Sequence, residues 1–259
     1  MLNLKEDIQK LVNMLKLRTF PLGLQFFENA EELDKIDKIK RPTNRRTFCQ
    51  IAGNARLYGW TIGITKKDLG INTVCPAMLG LYERPSFIRD GSYKQPVWFE
   101  NIVDSKKYED SFPAIPAGRF NAVAVGPIFS QRISPDILLV YGDPTQLMLI
   151  LCGLQWKDYE RFTFHFSGES SCADAIAQCF LSKKPALALP CFGERRYGHV
   201  QDNEMYLAMP PESLAKAVGG LENLVKNGIR YPIPFYGVLP EVEAEGVYTK
   251  YEELFGRFN

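Results

Sequence analysis

Cys49, Cys75, Cys172 and Cys191 are the side chains best placed to do chemistry in this chain. Thr47-Phe48-Cys49-Gln50 leads through a helix and a strand to Cys75. Ser171-Cys172-Ala173-Asp174 leads through a shorter version of the same passage to Cys191. In each copy the hydroxyl residue can cap the helix and the residue three later can answer it, the capping-box arrangement. A thiol in that first turn faces unpaired backbone N–H groups and the positive end of the helix dipole, which favour thiolate. Four such thiolates converging would suit an iron–sulfur cluster or a structural zinc. No C-x-x-C pair occurs, so spacing alone does not force convergence. A reactive thiol and plain core packing stay open as the other roles. Cys152 and Cys179 fall inside apolar helical stretches and read as core.

The densest polar segment runs from Cys191 to His199 and includes Glu194, Arg195 and Arg196. Its guanidiniums can grip a carboxylate or phosphate in two-pronged fashion, with Ser170 and Ser171 nearby at the second capped helix. The competing reading pairs these arginines with acids such as Glu194 and Asp202. Six positions after Cys191 stands Tyr197, where a phosphatase loop needs arginine. Asp202 and Glu204 flank the next strand and can form an acid/base pair or simply its polar face. Ser167-Gly168-Glu169-Ser170-Ser171 can cradle an anion with backbone amides but lacks the lysine of a P-loop. With His165 and His199 alone, a three-histidine metal site is excluded, and no G-x-S-x-G elbow or dinucleotide fingerprint occurs.

Those residues need a scaffold, and the composition supplies one. The chain has 259 residues, 46% of them hydrophobic, and a formal net charge of +1. That is globular rather than disordered, and no electrostatic footprint for nucleic acid stands out. The densest basic cluster, Lys38 to Arg46, leads directly into the first cysteine helix. Leu4, Ile8, Leu11, Val12 and Leu15 recur at helical spacing among charges, so the N-terminus is an amphipathic helix and not a signal peptide. No apolar run approaches the ~20 residues that span a bilayer. No membrane partner and a cytoplasmic, thiol-reducing setting are therefore expected.

The periodicity predicts helices over 3–17, 30–36, 48–58, 143–154, 172–181, 210–225 and 248–258, and one opening at Cys75-Pro76. Strands are expected over 21–27, 60–64, 121–128, 135–141, 161–166, 186–189 and 204–209. The expected class is mixed α+β, one compact domain over 1–259. It contains an internal duplication of a strand–helix–capped helix–strand unit, with pseudo-repeats at 18–90 and 120–225. Cys49 corresponds to Cys172 and Cys75 to Cys191. Residues 90–119 are then a linker, and 228–259 an extended tail docking on the body.

Several of these segments together resemble a family, the uncharacterised archaeal and bacterial proteins grouped as domain of unknown function 169. The resemblance is carried by Pro21-Leu22-Gly23-Leu24-Gln25-Phe26, Cys49 with Ala55-Arg56, Cys75-Pro76 with Leu79-Gly80-Leu81, and Gly168 with Cys172-Ala173. Lys184-Pro185 before Cys191-Phe192-Gly193-Glu194-Arg195, and Asp202-Asn203-Glu204-Met205, complete it. It spans roughly 15–230 and implies a compact mixed α/β protein, frequent in anaerobes. It brings no activity and no role for any residue.

The resulting expectation is a cysteine-lined crevice binding an iron–sulfur cluster or metal in redox or anaerobic metabolism. The alternative is a non-catalytic module for a small anionic metabolite. A third reading is a subunit that docks to a partner enzyme through its aromatic tail. Reaction type and oligomeric state are left open.

Overall fold

A computed structural model of the chain describes residues 3–70, 74–233 and 247–256. Alternating apolar residues build six strands: β1 (Leu22–Phe27), β2 (Ile62–Thr65), β3 (Ala122–Pro127), β4 (Ile137–Gly142), β5 (Ala186–Ala188) and β6 (Met205–Met209). Every pairing between them is antiparallel, in the order β2-β3-β1-β4-β6-β5. The helices in chain order are α1 (Leu4–Leu15), α2 (Phe48–Tyr58), α3 (Val74–Met78), α4 (Ser86–Arg89) and α5 (Ile102–Asp110). They continue with α6 (Pro144–Gln155), α7 (Gln178–Ser182), α8 (Phe192–Tyr197), α9 (Ser213–Lys226) and α10 (Val247–Phe255). A π-helical turn, Cys172–Ala177, runs directly into α7. The mixed α+β class expected from the sequence is the one the chain adopts.

Because successive strand residues point to opposite faces, the sheet separates two cores. Leu22, Leu24, Phe26, Ile137, Leu139, Tyr141 and Tyr206 face α2, α3 and the π turn. Leu138, Val140, Leu207 and Met209 face α1, α6 and α9. On that second face Gly153 of α6 and Gly220 of α9 lie against each other, and a Cβ on either would overlap the other helix's backbone. Asp143 and Gln146 form the capping box that starts α6, with Pro144 at its first position.

The strand order reads the same from either edge when β1 is exchanged with β4, β3 with β6 and β2 with β5. The centre of that correspondence is the β1–β4 pairing, Leu22 opposite Leu139 and Leu24 opposite Ile137. β3 thus falls with the first three strands, outside the expected boundary at residue 90.

Three local expectations differ from the structure. Arg161–Phe166 is irregular rather than a strand; its alternation is spent on stacking Phe162 against Phe164, with ring centroids 6.0 Å apart. Residues 90–119 are no simple linker, since they carry α5 and bury Lys94, Ser105 and Glu109. Ser171 has helical backbone angles and does not cap the second cysteine helix, because its hydroxyl is drawn to Glu194 instead. In the tail, Ile229 and Tyr231 pack on the α1/α6/α9 face, and the Tyr231 hydroxyl donates to Asp143 at 2.8 Å. The stretch 234–246 lies outside the described residues. No helix among the described residues is long and apolar enough to cross a membrane.

Candidate functional site

The four predicted cysteines meet. Among the described residues each stands at the start of a helical segment: Cys49 is the second residue of α2, Cys75 the second of α3, Cys172 the first of the π turn, and Cys191 the cap of α8. Cys172 Sγ and Cys75 Sγ share a hydrogen bond at 2.8 Å. The Cys49 thiol lies within interaction reach of those of both Cys75 and Cys191. All four are at most 3% exposed. The Thr47–Gln50 capping box fixes the start of α2 as expected. Two glycines let α2 and α8 approach: a Cβ on Gly53 would sit 2.8 Å from the Gly198 carbonyl oxygen, and one on Gly198 would sit 3.0 Å from that of Cys49.

Thiolate is not the resting state of this cluster. For Cys75 the hydrogen bond shared with Cys172, and then burial, raise the pKa well above the usual thiol value. For Cys191 the bond with Cys49, burial and the nearby Glu194 act in the same direction. At Cys49 the bond with Cys191 lowers the value, but the bond with Cys75 and burial prevail and it rises. Cys172 behaves alike: the bond with Cys75 lowers it, yet burial pushes it up to about 12. Desolvation, and the repulsion each thiolate would meet from a charged neighbour, act against the partial charges at the helix starts, and the four pKa values are raised rather than lowered.

Beside the thiols lies a fully buried polar relay. Glu194 accepts from Tyr141 Oη–H at 3.1 Å and from Ser171 Oγ–H at 2.7 Å. Burial pushes its carboxyl up to about 7, against the opposing pull of those hydrogen bonds and of Arg56. Ser171 Oγ in turn accepts from the Cys191 N–H at 3.2 Å, and Tyr206 Oη–H donates to the Ser171 carbonyl at 2.6 Å. Arg56, 1% exposed, lies 4.5 Å above the Tyr141 ring. It donates to both oxygens of Glu204, at 3.2 and 3.0 Å, and to the His199 carbonyl at 2.9 Å.

Between α4 and α5, Tyr93 and Lys94 lie within electrostatic reach of Cys75. Lys94 is fully buried over the ring of Tyr108, 4.6 Å from its centroid, between Glu109 at 3.4 Å and a close contact with Glu169. Burial lowers its pKa, while Glu109 and the Cys75 and Cys191 thiols act to raise it.

The remaining predicted residues are placed as follows. Arg195 donates to the Gln201 carbonyl at 2.6 Å and lies 4.0 Å from Asp202, so it is engaged within its own loop. Arg196 is exposed, and His199 contributes its carbonyl rather than its ring. Ser170 is buried, with no hydrogen-bond partner for its hydroxyl among the described residues. Glu194 joins the thiols instead of an anion grip. The anion cradle at Ser167–Ser171 is filled from within the chain, since Asp174 accepts from the Ser167 N–H at 2.8 Å and its hydroxyl at 2.9 Å. Asp202 and Glu204 are not an acid/base pair: Asp202 is exposed, whereas Glu204 is spent on Arg56 and the Gln201 N–H.

Sequence reasoning missed Arg56, Tyr141, Tyr206 and Lys94 as parts of the site. Arg56 was within reach, because it stands seven residues after Cys49 and so shares its helical face. Lys94 gives no periodic signal, since its partners are 15 and 75 residues away.

Among the described residues, no group of three or more His, Cys, Asp or Glu side chains is spaced to hold a metal ion as the side chains stand. The Cys75 and Cys172 sulfurs stand 2.8 Å apart, whereas thiolates around one zinc sit roughly 3.8 Å apart, given Zn–S bonds of about 2.3 Å in a tetrahedron.

Residues 10–220 match the family described as "DUF169: Uncharacterised ArCR". An uncharacterised protein of Methanocaldococcus jannaschii, MJ0308, is 24% identical over 233 residues, covering 85% of this chain and 94% of that protein. No solved structure matches the chain significantly.

Proposed function

The chain belongs to the uncharacterised family DUF169, and from that premise, which carries no activity, we propose that Cys49, Cys75, Cys172 and Cys191 ligate a buried metal centre. The observation that carries this reading is the meeting of four sulfurs from four separate helix starts in one buried contact. Core packing alone gives no reason for those four to find each other. Exchange chemistry requires an accessible thiolate, and these thiols are buried and held protonated.

The chemistry of the donor set is that of soft thiolates, suited to zinc, iron or an iron–sulfur cluster. A single ion demands the smallest displacement of touching sulfurs, a separation of roughly an ångström; a cluster demands more. On binding, the thiol protons leave and the metal takes their place, so metal loading and proton release are coupled. A zinc would pin the two sets of three strands together, and an iron centre would add one-electron chemistry. The internal duplication belongs to the same proposal. Exchanging Cys49 with Cys172 and Cys75 with Cys191 turns the Cys49–Cys191 contact into the Cys172–Cys75 contact.

Anaerobic purification followed by metal analysis, ultraviolet–visible spectroscopy and thiol titration tests the reading. One ion, or one cluster with its charge-transfer absorption, per chain is expected, and it should be lost in Cys49→Ser and Cys172→Ser. Colourless, metal-free protein with all four thiols titratable after unfolding, whose serine variants melt as the parent does, ends it.

A further inference from the structure

A second hollow, on the surface near the start of β1, carries chemistry of its own and depends on neither the thiols nor a metal. It has a volume of about 390 Å³ and opens between α1, the 17–20 segment and the end of α2. Small-molecule sites range over roughly 300–1,000 Å³. Its apolar wall is Val12, Leu17, Phe20, Leu57 and Phe129. Two guanidiniums, Arg18 and Arg56, also line it, and no carboxylate does. Arg18 is exposed and has no acidic partner within ion-pair reach among the described residues. Arg56 is fixed in place by Glu204 and the His199 carbonyl, yet its buried Nε–H has no acceptor among the described residues. A smaller hollow of about 110 Å³ shares Arg18, Thr19, Arg56 and Leu57 with the first; its lining also includes Asp143 and Glu204, so the acid is assigned to the larger, carboxylate-free hollow.

We propose that this hollow binds a small free carboxylic acid with an apolar body, aryl or short alkyl. A greasy wall beside the unpaired cation of Arg18 fits a molecule that is itself divided, with its charged end at Arg18 and its body against Phe20, Leu57 and Phe129. Arg18 supplies the charge that meets the carboxylate, and Arg56, its own charge balanced by Glu204, offers the unused Nε–H from the floor. A phosphate without an apolar body leaves that wall wet and gains nothing from it.

The test is calorimetric titration of the full chain with phenylacetate and hexanoate, each against its neutral amide. Saturable one-site binding of an acid is expected, with its amide weaker by ~10-fold or more, as loss of a charge-assisted contact implies. Arg18→Gln should bring the acid down to the affinity of the amide without changing the melting temperature. Lys67→Gln, an exposed lysine outside the hollow, should leave binding unchanged. Leu57→Trp should fill the hollow and abolish binding of acid and amide alike. Equal affinity for acid and amide, undiminished binding to Leu57→Trp, or no saturable binding of either acid overturns the proposal.

Discussion

The two faces of one sheet are built on opposite terms. Under α1, α6 and α9 the core is almost wholly apolar. Its buried polar side chain is Gln146, which donates to the Leu15 carbonyl at 2.8 Å and ties α6 to the end of α1. Under α2, α3, α8 and the π turn, the same strands bury Arg56, Ser171, Glu194 and four thiols. Buried charge and unmet hydrogen bonds cost stability, so the second face has accepted a penalty the first avoids. A fold that can make one face dry and close-packed did not lack the means to do so on the other. The difference is what makes the thiol face the candidate site, and the first face is the foundation that offsets its cost.

The comparison breaks most sharply at the thiols. Replacing Cys49 and Cys172 together by serine should abolish the proposed metal binding and lower stability by several kcal/mol, on the order of 5, a fraction of the ~10–16 kcal/mol apparent for structural zinc. Cys179→Ala is the internal control. Its thiol is equally buried on the same face but outside the cluster, so metal content should be unchanged. If Cys179→Ala loses metal too, the centre is not confined to the four predicted positions. Metal analysis with urea denaturation of both variants decides it.

Next in size is the charge under Tyr141. Glu204→Gln leaves the guanidinium of Arg56 almost fully buried without its counter-charge. The expected loss is about 3 kcal/mol, at the low end for breaking a buried pair because Glu204 itself is partly exposed. Equilibrium unfolding measures it. A loss below that of an exposed salt bridge would mean that Arg56 is compensated elsewhere, and that the thiol face is cheaper to build than its burial implies.

The dry face is best probed where its helices touch. Gly220→Ala pushes a methyl into the backbone of α6 at Gly153 and should cost about 1–3 kcal/mol through overpacking. Metal content and the absorption spectrum should be unaffected, because the sheet lies between. A change in metal loading would show that the two faces are coupled through the strands and would undo the division.

How much of this was legible is clearest from single residues. Six of seven expected strands exist, because a short apolar run such as Ile137–Gly142, buried at every position, encodes burial on both faces directly. Arg161–Phe166 alternates as a half-buried strand would but forms none, and no local signal records whether a sheet edge is available. The four cysteines stood out by their places near helix starts, but nothing in their spacing forced them to meet. Their raised pKa values were not legible either, since these depend on desolvation by residues far away in the chain. Ser171 shows the general limit. Locally it is a helix cap, but a carboxylate 23 residues on, Glu194, outbids the backbone for its hydroxyl. Arg195 and Arg196 misled in the opposite way, because a dense run of charge reads as a site whether or not its partners are next door.

The smallest expected effect separates hydrogen bonding on the thiol face from the thiol centre itself. Tyr206 reaches that face from β6, its ring stacked on Tyr141 at 4.9 Å between centroids and its hydroxyl donating to the Ser171 carbonyl. Tyr206→Phe keeps the ring and removes one buried hydrogen bond, so about 1 kcal/mol should be lost. The freed carbonyl belongs to the residue directly before Cys172, but its own helical backbone position is set by the turn that follows it. Metal content should therefore match that of the parent protein. Urea denaturation and metal analysis on the same preparation give both answers. If this single hydroxyl takes the metal with it, then Tyr206, Ser171, Glu194 and the sulfurs form one cooperative unit, and the polar groups of this face belong to the site rather than to its surroundings.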